Sequence, residues 1–296
     1  MDSGRTGVAI IADQTEIAWT DSTFNPWWGC TKVGPGCDHC YAEALDKRTG
    51  GDHWGLHSAP RIMSDENWKK PIRWNKKTIE PRKVFCGSMC DVFDNNAPAG
   101  QRERLWELIR QTPNLQWQLL TKRVGNIKKY LPEDWGNGYP NVWLGITVVN
   151  QEEADRDIPK LLQIPARVRF LSMEPLLEAI NLSHMDVESG GCKEWCQINC
   201  LTGNHTDMGR PCPSVPSINW VIVGGESGHH ARPFVLGWAK DIVRQCKAAG
   251  VPVFVKQVGA NPTNREGEQC PHIRDRKGGN MNEWPEILQA REFPII

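Results

Sequence analysis

Residues 83–123 read KVFCGSMCDVFDNNAPAGQRERLWELIRQTPNLQWQLLTKR. The short apolar runs at 83–87 and 116–120 have the length and composition of buried strands. Between them, residues 101–111 place apolar side chains at helical spacing and end near a proline. A strand, a helix and a second strand in this order predict a βαβ unit with parallel strands.

The same alternation continues on both sides of this unit. Further strands are predicted at residues 142–146, 167–171, 219–223 and 251–255, and another at about 23–28, before the first cysteines. Helical patterns at 152–162 and 236–249 lie between them. Seven strands in βα alternation, with no G-x-G-x-x-G after the first one, predict an α/β fold built on a parallel (β/α) barrel, complete or partial.

Three segments depart from this alternation. Residues 1–15 show no clean period and are expected to form a flexible tail. Residues 184–217 carry four Cys and two His and interrupt the strands, so they are predicted to be a Cys-rich insertion. The barrel is therefore expected over residues 16–260, with the insertion inside it and a C-terminal extension at 261–296.

The composition limits the classes of function. Lys and Arg total 35, as do Asp and Glu, so overall charge gives no reason to expect non-specific binding to nucleic acid. The sequence has no apolar run of 18 residues, which predicts a cytoplasmic protein with no membrane contact. Eleven Cys in a reducing compartment usually indicate metal binding rather than disulfides.

The first cysteine group lies in residues 27–42, WWGCTKVGPGCDHCYA. Cys30, Cys37 and Cys40 share one loop after a predicted strand, and the glycines of this loop allow tight folding. Three thiolates on a four-iron cluster leave one iron that can chelate S-adenosylmethionine. Two alternatives stay open: a structural zinc site with His39 or a distant Cys as fourth ligand, and cysteines without any metal.

Polar residues follow each predicted strand, at the edge where barrels gather their chemistry. They lie in the segments Ser88–Asp91, Thr121–Arg123, Thr147–Asn150, Ser172–Glu174, Gly224–Ser227 and Lys256–Gln257. Polar residues begin most loops, so a single one needs no functional explanation. The whole set predicts a ligand site at the mouth of the barrel.

These motifs resemble a phage- and bacterium-encoded, radical-SAM-like family of unknown function. The resemblance begins at EIAWTDSTFNPWWGC (residues 16–30) and CDHCYA (37–42). It continues through SMCDVF (88–93), LTKR (120–123), WLGI (143–146), LSMEPL (171–176), WVIVGGESG (220–228) and FVKQ (254–257). The cysteine spacing is C-x6-C-x2-C, whereas the usual radical SAM loop has C-x3-C-x2-C.

The resemblance implies a [4Fe-4S] cluster on Cys30, Cys37 and Cys40 that cleaves S-adenosylmethionine to a 5′-deoxyadenosyl radical, which abstracts hydrogen from a substrate. An electron donor such as a flavodoxin or ferredoxin is then an expected partner. The expected cofactor-binding residues are Ser88 and Asp91 near the methionine amine, Thr147, Asn150 and Glu174 near the ribose, Tyr41 near the adenine, and Gly224, Gly225 and Glu226 at the mouth.

The second cysteine group lies in the insertion and comprises Cys192, Cys196, Cys200 and Cys212. Four thiols within 21 residues, in a stretch too poor in large apolar groups to build a core, predict a metal-organised knuckle. A structural zinc ion is the first interpretation and a second iron–sulfur cluster the next. The spacing matches neither a standard zinc finger nor a ferredoxin, and cysteines without metal are the third alternative.

A basic stretch suggests a substrate class. Residues 61–83 carry eight Lys or Arg against three Asp or Glu and include Trp68 and Trp74. Such a segment can follow a phosphate backbone while its indoles stack on bases, or it can be a solvated connector with buried indoles. The leading hypothesis is a radical SAM enzyme that modifies or repairs a nucleic acid or nucleotide. The alternatives are a non-catalytic, zinc-stabilised nucleic-acid-binding module and a radical SAM enzyme acting on a peptide or small metabolite.

Overall fold

The computed structural model describes residues 15–187, 196–207 and 210–295. In chain order its strands are β1 (Ser22–Phe24), β2 (Trp27–Trp28), β3 (Arg61–Ile62), β4 (Arg82–Cys86), β5 (Leu115–Thr121), β6 (Val142–Thr147), β7 (Val168–Met173), β8 (Met185–Val187), β9 (Cys196–Asn199), β10 (Asn204–Asp207), β11 (Arg210–Cys212), β12 (Trp220–Gly224), β13 (Phe234–Val235), β14 (Val253–Gln257) and β15 (Pro262–Thr263). Its helices are α1 (Tyr41–Arg48), α2 (Asp65–Lys77), α3 (Gln101–Arg110), α4 (Val124–Tyr130), α5 (Gln151–Leu162) and α6 (Leu236–Ala249), with short 3-10 turns at Pro35–Cys37, Met281–Glu283 and Glu286–Leu288.

Seven strands form one parallel sheet in the order β1-β4-β5-β6-β7-β12-β14, and this sheet curls into a half-barrel. Each neighbouring pair runs parallel, as the βα alternation predicts. The α/β fold with a partial parallel barrel is thus confirmed, and the helix predicted at 236–249 is found with the same bounds. Six predicted strands are found with ends shifted by at most two residues, whereas the one predicted at about 23–28 is found as two short strands, β1 and β2.

The two faces of the sheet are filled differently. The convex face packs against the helices through aliphatic side chains such as Leu119, Leu144 and Val223. The concave face carries a separate cluster of large rings, whose buried members are Trp19, Phe85, Trp143, Phe170, Trp220 and Phe254. Each such ring buries about 150–250 Å². This aromatic floor therefore fills the interior of the half-barrel near the amino ends of most of its strands.

The described part of residues 184–217, the predicted insertion, contributes no strand to the main sheet. In the part that the structure describes, β11-β10-β9-β8 form a four-stranded antiparallel sheet, and β8 packs near α5. The basic stretch forms α2, whose Trp68 and Trp74 are 4% and 3% exposed. Because both indoles are buried, they cannot stack on bases, which favours the interpretation as a connector with buried indoles. Within the described ranges, no helix is long and apolar enough to cross a membrane.

Candidate functional site at the mouth of the half-barrel

A layer of polar side chains lies above the aromatic floor, at the carboxyl ends of the strands. Side chains along a strand alternate between its two faces, so Thr147 and Ser172 point to the same concave face as Trp143 and Phe170. Glu174, two residues after Ser172, and Lys256, two residues after Phe254, follow the same alternation. We call Thr147, Ser172, Glu174 and Lys256 the polar layer.

Glu174 is the centre of the polar layer. Its Oε1 lies 2.9 Å from Nζ of Lys256, and its Oε2 accepts a hydrogen bond of 3.2 Å from the Ser172 hydroxyl. Gly224 gives this carboxylate room, because a Cβ there would lie 3.0 Å from Oε1 of Glu174. Thr147 is buried, and its hydroxyl has no hydrogen-bond partner among the described residues. The layer thus offers a carboxylate, an ammonium and an unpaired hydroxyl at the mouth.

The cysteine loop, residues 30–40, crosses this mouth. Cys30 follows β2, Cys37 ends the turn Pro35–Cys37, and Cys40 caps the start of α1. All three are free thiols. The middle of the loop lies against the end of β6 and the residue after β5, since a Cβ on Gly36 would lie 2.9 Å from Cγ1 of Val149 and 3.3 Å from Cε of Lys122. The predicted position of the loop relative to the strand ends is therefore found.

Arg123 ties the first end of the loop to the half-barrel. Its guanidinium lies 2.9 Å from Asp91 and 3.0 Å from Asp94, and all three side chains are buried. The same guanidinium donates to Sγ of Cys30 at 3.5 Å and to the carbonyl of Thr31. Asp94 also accepts from the amide and hydroxyl of Thr31, at 3.1 and 3.3 Å. We call Arg123, Asp91 and Asp94 the first clamp.

The first clamp sets the electrostatics around Cys30. Burial and the neighbouring carboxylate of Asp91 raise the pKa of the Cys30 thiol to about 12, although Arg123 opposes them. Burial opposes ionisation of Arg123, yet the pKa of Arg123 is raised because Asp91, Cys30 and Asp94 outweigh it. Arg123 therefore stays charged, but the surroundings as a whole keep the Cys30 thiol protonated, so a metal that binds there would have to displace its proton.

Glu226 ties the other end of the loop. Its Oε2 lies 2.9 Å from Nδ1 of His39 and accepts 2.8 Å from the amide of Arg232. The Arg232 guanidinium pairs with Glu226 and donates to the carbonyl of Pro35 at 3.0 Å. Burial opposes ionisation of Glu226, but hydrogen bonds from Arg232 and His39 hold its pKa below the usual value. We call Glu226, Arg232 and His39 the second clamp.

The predicted cofactor-binding residues thus divide into three sets. Thr147, Glu174 and Gly224 lie at the mouth with room or capacity for a ligand. Asp91 does not, because it accepts from Thr121, Arg123 and the amides of Phe93 and Lys122. Like Glu226, it holds the loop. The sequence did not predict this role, because the partners of Asp91 lie far away in the chain. The spacing of Asp91 and Asp94 around two apolar residues, which are buried, was the signal that could have indicated it.

The remaining predicted residues have structural partners. Asn150 caps α5 by accepting 2.8 Å from the amide of Glu153. Ser88 accepts from Asn25 Nδ2 at 2.9 Å, and its carbonyl accepts 2.8 Å from the Tyr41 hydroxyl, whose ring is 57% exposed at the mouth. Gly225 is required by packing, since a Cβ there would lie 2.8 Å from the carbonyl oxygen of Val258. Tyr41 is the member of this set that presents a surface to a ligand.

The cysteines of the insertion are spread over its sheet and the core. Cys200 is completely buried in the main core, while Cys212 on β11 is half-buried. In the register of the small sheet, Cys196 lies opposite Asp207 on β10, and Cys212 lies opposite His205 on the same strand. Two strand spacings, or about 9.5 Å, therefore separate β9 from β11. Cys196 is disulfide-bonded, so it would have to be reduced before it could bind zinc. Cys192 lies outside the described residues, and the four-thiol zinc site stays a prediction.

Within the described ranges, no three or more His, Cys, Asp or Glu side chains are arranged to hold a metal ion. The thiols of the cysteine loop fit a three-thiolate cluster in number and chemistry, and binding would have to draw them together. Such coupling between metal binding and local folding is common in metalloproteins.

The chain matches the model of one protein family. A family model with the description "Protein of unknown function (DUF5131)" matches residues 14–285. Because the match covers most of the chain, the protein belongs to this family. No curated protein and no solved structure is similar enough to count as a match.

Proposed function

We propose that the protein is a radical S-adenosylmethionine enzyme that holds an iron–sulfur cluster on Cys30, Cys37 and Cys40. One observation carries the proposal. Three free thiols lie on a single loop, and a buried clamp at one end and a partly exposed clamp at the other fix it across the carboxyl edge of a parallel half-barrel. Ligand sites of parallel barrels lie at this edge.

When bound, the cluster would supply the electron that cleaves S-adenosylmethionine. The chain's own residues would bind and orient the rest of that molecule. A carboxylate has about four acceptor positions, so Glu174 can accept from ribose hydroxyls beyond its contacts with Lys256 and Ser172. The Thr147 hydroxyl can donate or accept a further bond. Lys256 is the cation of the polar layer and suits the methionine carboxylate.

Two features of the half-barrel would protect a reactive intermediate from water. The aromatic floor closes the interior below the polar layer, and the cysteine loop covers part of the mouth above it. Excluding water from an active site prevents side reactions of reactive intermediates. The substrate in this proposal is a nucleic acid or nucleotide, and reduction would come from a donor such as a flavodoxin or ferredoxin in the cytoplasm.

The experiment is anaerobic reconstitution with iron and sulfide, followed by incubation with S-adenosylmethionine and dithionite. The wild-type protein should release 5′-deoxyadenosine, and Cys40→Ala should release none. Cys246→Ala is the matched control, because Cys246 is also a free thiol but lies on α6 in the core. Equal release by wild type and Cys40→Ala, or none by either, would refute the proposal.

A further inference from the structure

A second cavity, of about 530 Å³, lies at the start of α6 beside the C-terminal segment. Its walls include Leu236, Gly237 and Lys240 from α6, and Arg265, Cys270 and His272 from the segment after β14. Volumes of about 300–1,000 Å³ are typical of sites for small molecules. The mouth of the half-barrel does not use these side chains.

The cavity borders the same edge of the sheet as the mouth. Arg232, in the segment that leads into α6, contacts the cysteine loop at Asp38 and Pro35. On the other side of the cavity, β15 follows the carboxyl end of β14 and pairs with β13 directly before α6. A molecule that lies across the mouth can therefore reach this cavity as well.

The charged side chains around the cavity are mostly cationic. Lys240, Arg244 and Arg265 line it, against one lining carboxylate, Glu266. Asp241 lies close by and pairs with both arginines. Lys240 has no ion-pair partner in the part of the chain that the structure describes. The cations therefore exceed the carboxylates.

The first turn of α6 adds further positive potential. It contains no acidic residue, and the residue before it, Val235, provides no side-chain cap. Its amide groups and the helix dipole therefore favour an anion. A helix start alone would not define a site, but here Gly237 in this turn and the cations line one cavity.

Arg265 lies directly over this helix start. A Cβ on Gly237 would be 2.6 Å from Nε and 2.7 Å from Cγ of Arg265, so only a glycine admits the side chain in this position. Thr263, the backbone neighbour of the lining residue Asn264, is 2% exposed, and its hydroxyl has no hydrogen-bond partner among the described residues. Asp241 already pairs with this guanidinium, and an anion over the helix start would give it a second partner.

We propose that this cavity binds a phosphate group of a nucleotide or nucleic acid at the rim of the mouth. Arg265 presents a planar fork that matches phosphate oxygens, Lys240 adds a point charge, and the α6 amides can donate to the same group. The inference deepens the proposed function by naming the phosphate-bearing substrate class. It does not depend on iron at the cysteine loop.

The test is binding of fluorescent AMP and of a labelled 12-nucleotide oligothymidylate to the full chain, with inorganic phosphate as competitor. Lys240→Ala combined with Arg265→Ala should weaken binding at least about tenfold and lower the slope of log affinity against log salt by about 1 for each lost phosphate contact. The matched control is Lys69→Ala with Arg73→Ala, which removes two exposed charges from α2.

A second variant shows whether weaker binding comes from the cavity or from a loss of folding. Gly237→Ala should leave the helix formed, because Ala favours helix more than Gly does, and should displace the flexible side chain of Arg265. It should weaken binding several-fold. Tighter binding of the oligonucleotide than of AMP would identify a nucleic acid, and equal binding a nucleotide. No binding by wild type, or equal weakening by the cavity and α2 variants, would overturn the proposal.

The binding test also separates this inference from the proposed function. It can be repeated on the Cys30→Ala, Cys37→Ala, Cys40→Ala variant, which should bind phosphate as wild type does while it forms no 5′-deoxyadenosine. Loss of phosphate binding in this variant would contradict an independent cavity.

Discussion

The two cysteine-rich regions of the chain look alike in sequence, but they differ in how the surrounding structure holds their cysteines. The cysteine loop keeps three free thiols on one short segment, and ion pairs hold it at both ends, buried at the first end and partly exposed at the second. In the insertion, Cys200 lies in the core and Cys212 on the edge strand of a small sheet. The density of cysteines in a sequence therefore does not by itself define a metal centre. A site also needs structure that fixes its ligands over the place where chemistry occurs.

The largest expected effect concerns the first clamp. Arg123→Met leaves Asp91 and Asp94 buried without their cation, and breaking a buried pair in this way costs about 3–5 kcal/mol. The free energy of unfolding from urea denaturation measures it. The matched control is Arg110→Met, because Arg110 pairs with Glu107 at the surface and should lose less than about 1 kcal/mol. Similar losses for both variants would show that the first clamp does not stabilise the fold.

A smaller effect is expected in the insertion. Cys200→Ser buries a hydroxyl in the core and should cost about 1–3 kcal/mol, whereas Cys212→Ser should cost less than about 0.5 kcal/mol. Zinc content and melting temperature are measured on both variants. A large loss of stability in both, together with loss of one bound zinc, would show instead that the two cysteines are ligands, as their spacing predicts.

The smallest effect concerns the second clamp and depends on pH. Because the folded state holds the pKa of Glu226 low, its contribution to stability is complete above about pH 4.3, the usual value for glutamate, and is lost as the pH falls through the lowered value. Glu226→Gln should therefore cost about 1 kcal/mol or less at pH 6 and reduce the loss of stability between pH 5 and about pH 3. Unfolding curves across this range measure it. An unchanged pH dependence in the variant would contradict the role of Glu226.

The fold was largely predictable because strand and helix periods are local properties. The βαβ unit at residues 83–123 and the helix at 236–249 were found close to their predicted bounds. The position of Thr147 and Glu174 after predicted strands also indicated them as residues of the mouth. The clamps were not predictable, since Arg123 meets Cys30 across 93 residues and Arg232 meets Asp38 across 194. Trp68 and Trp74 fitted both a binding surface and a core, and only their packing decided between them.

The most direct test of the proposed cluster on Cys30, Cys37 and Cys40 is the iron content of the anaerobically reconstituted protein. We expect about four irons per chain in wild type, because three thiolates suit a four-iron cluster with one open position. We expect almost none in Cys30→Ala, Cys37→Ala, Cys40→Ala, and wild-type iron in Cys246→Ala. If the triple variant keeps four irons, or if wild type binds one zinc and no iron at this loop, the proposed cluster is contradicted.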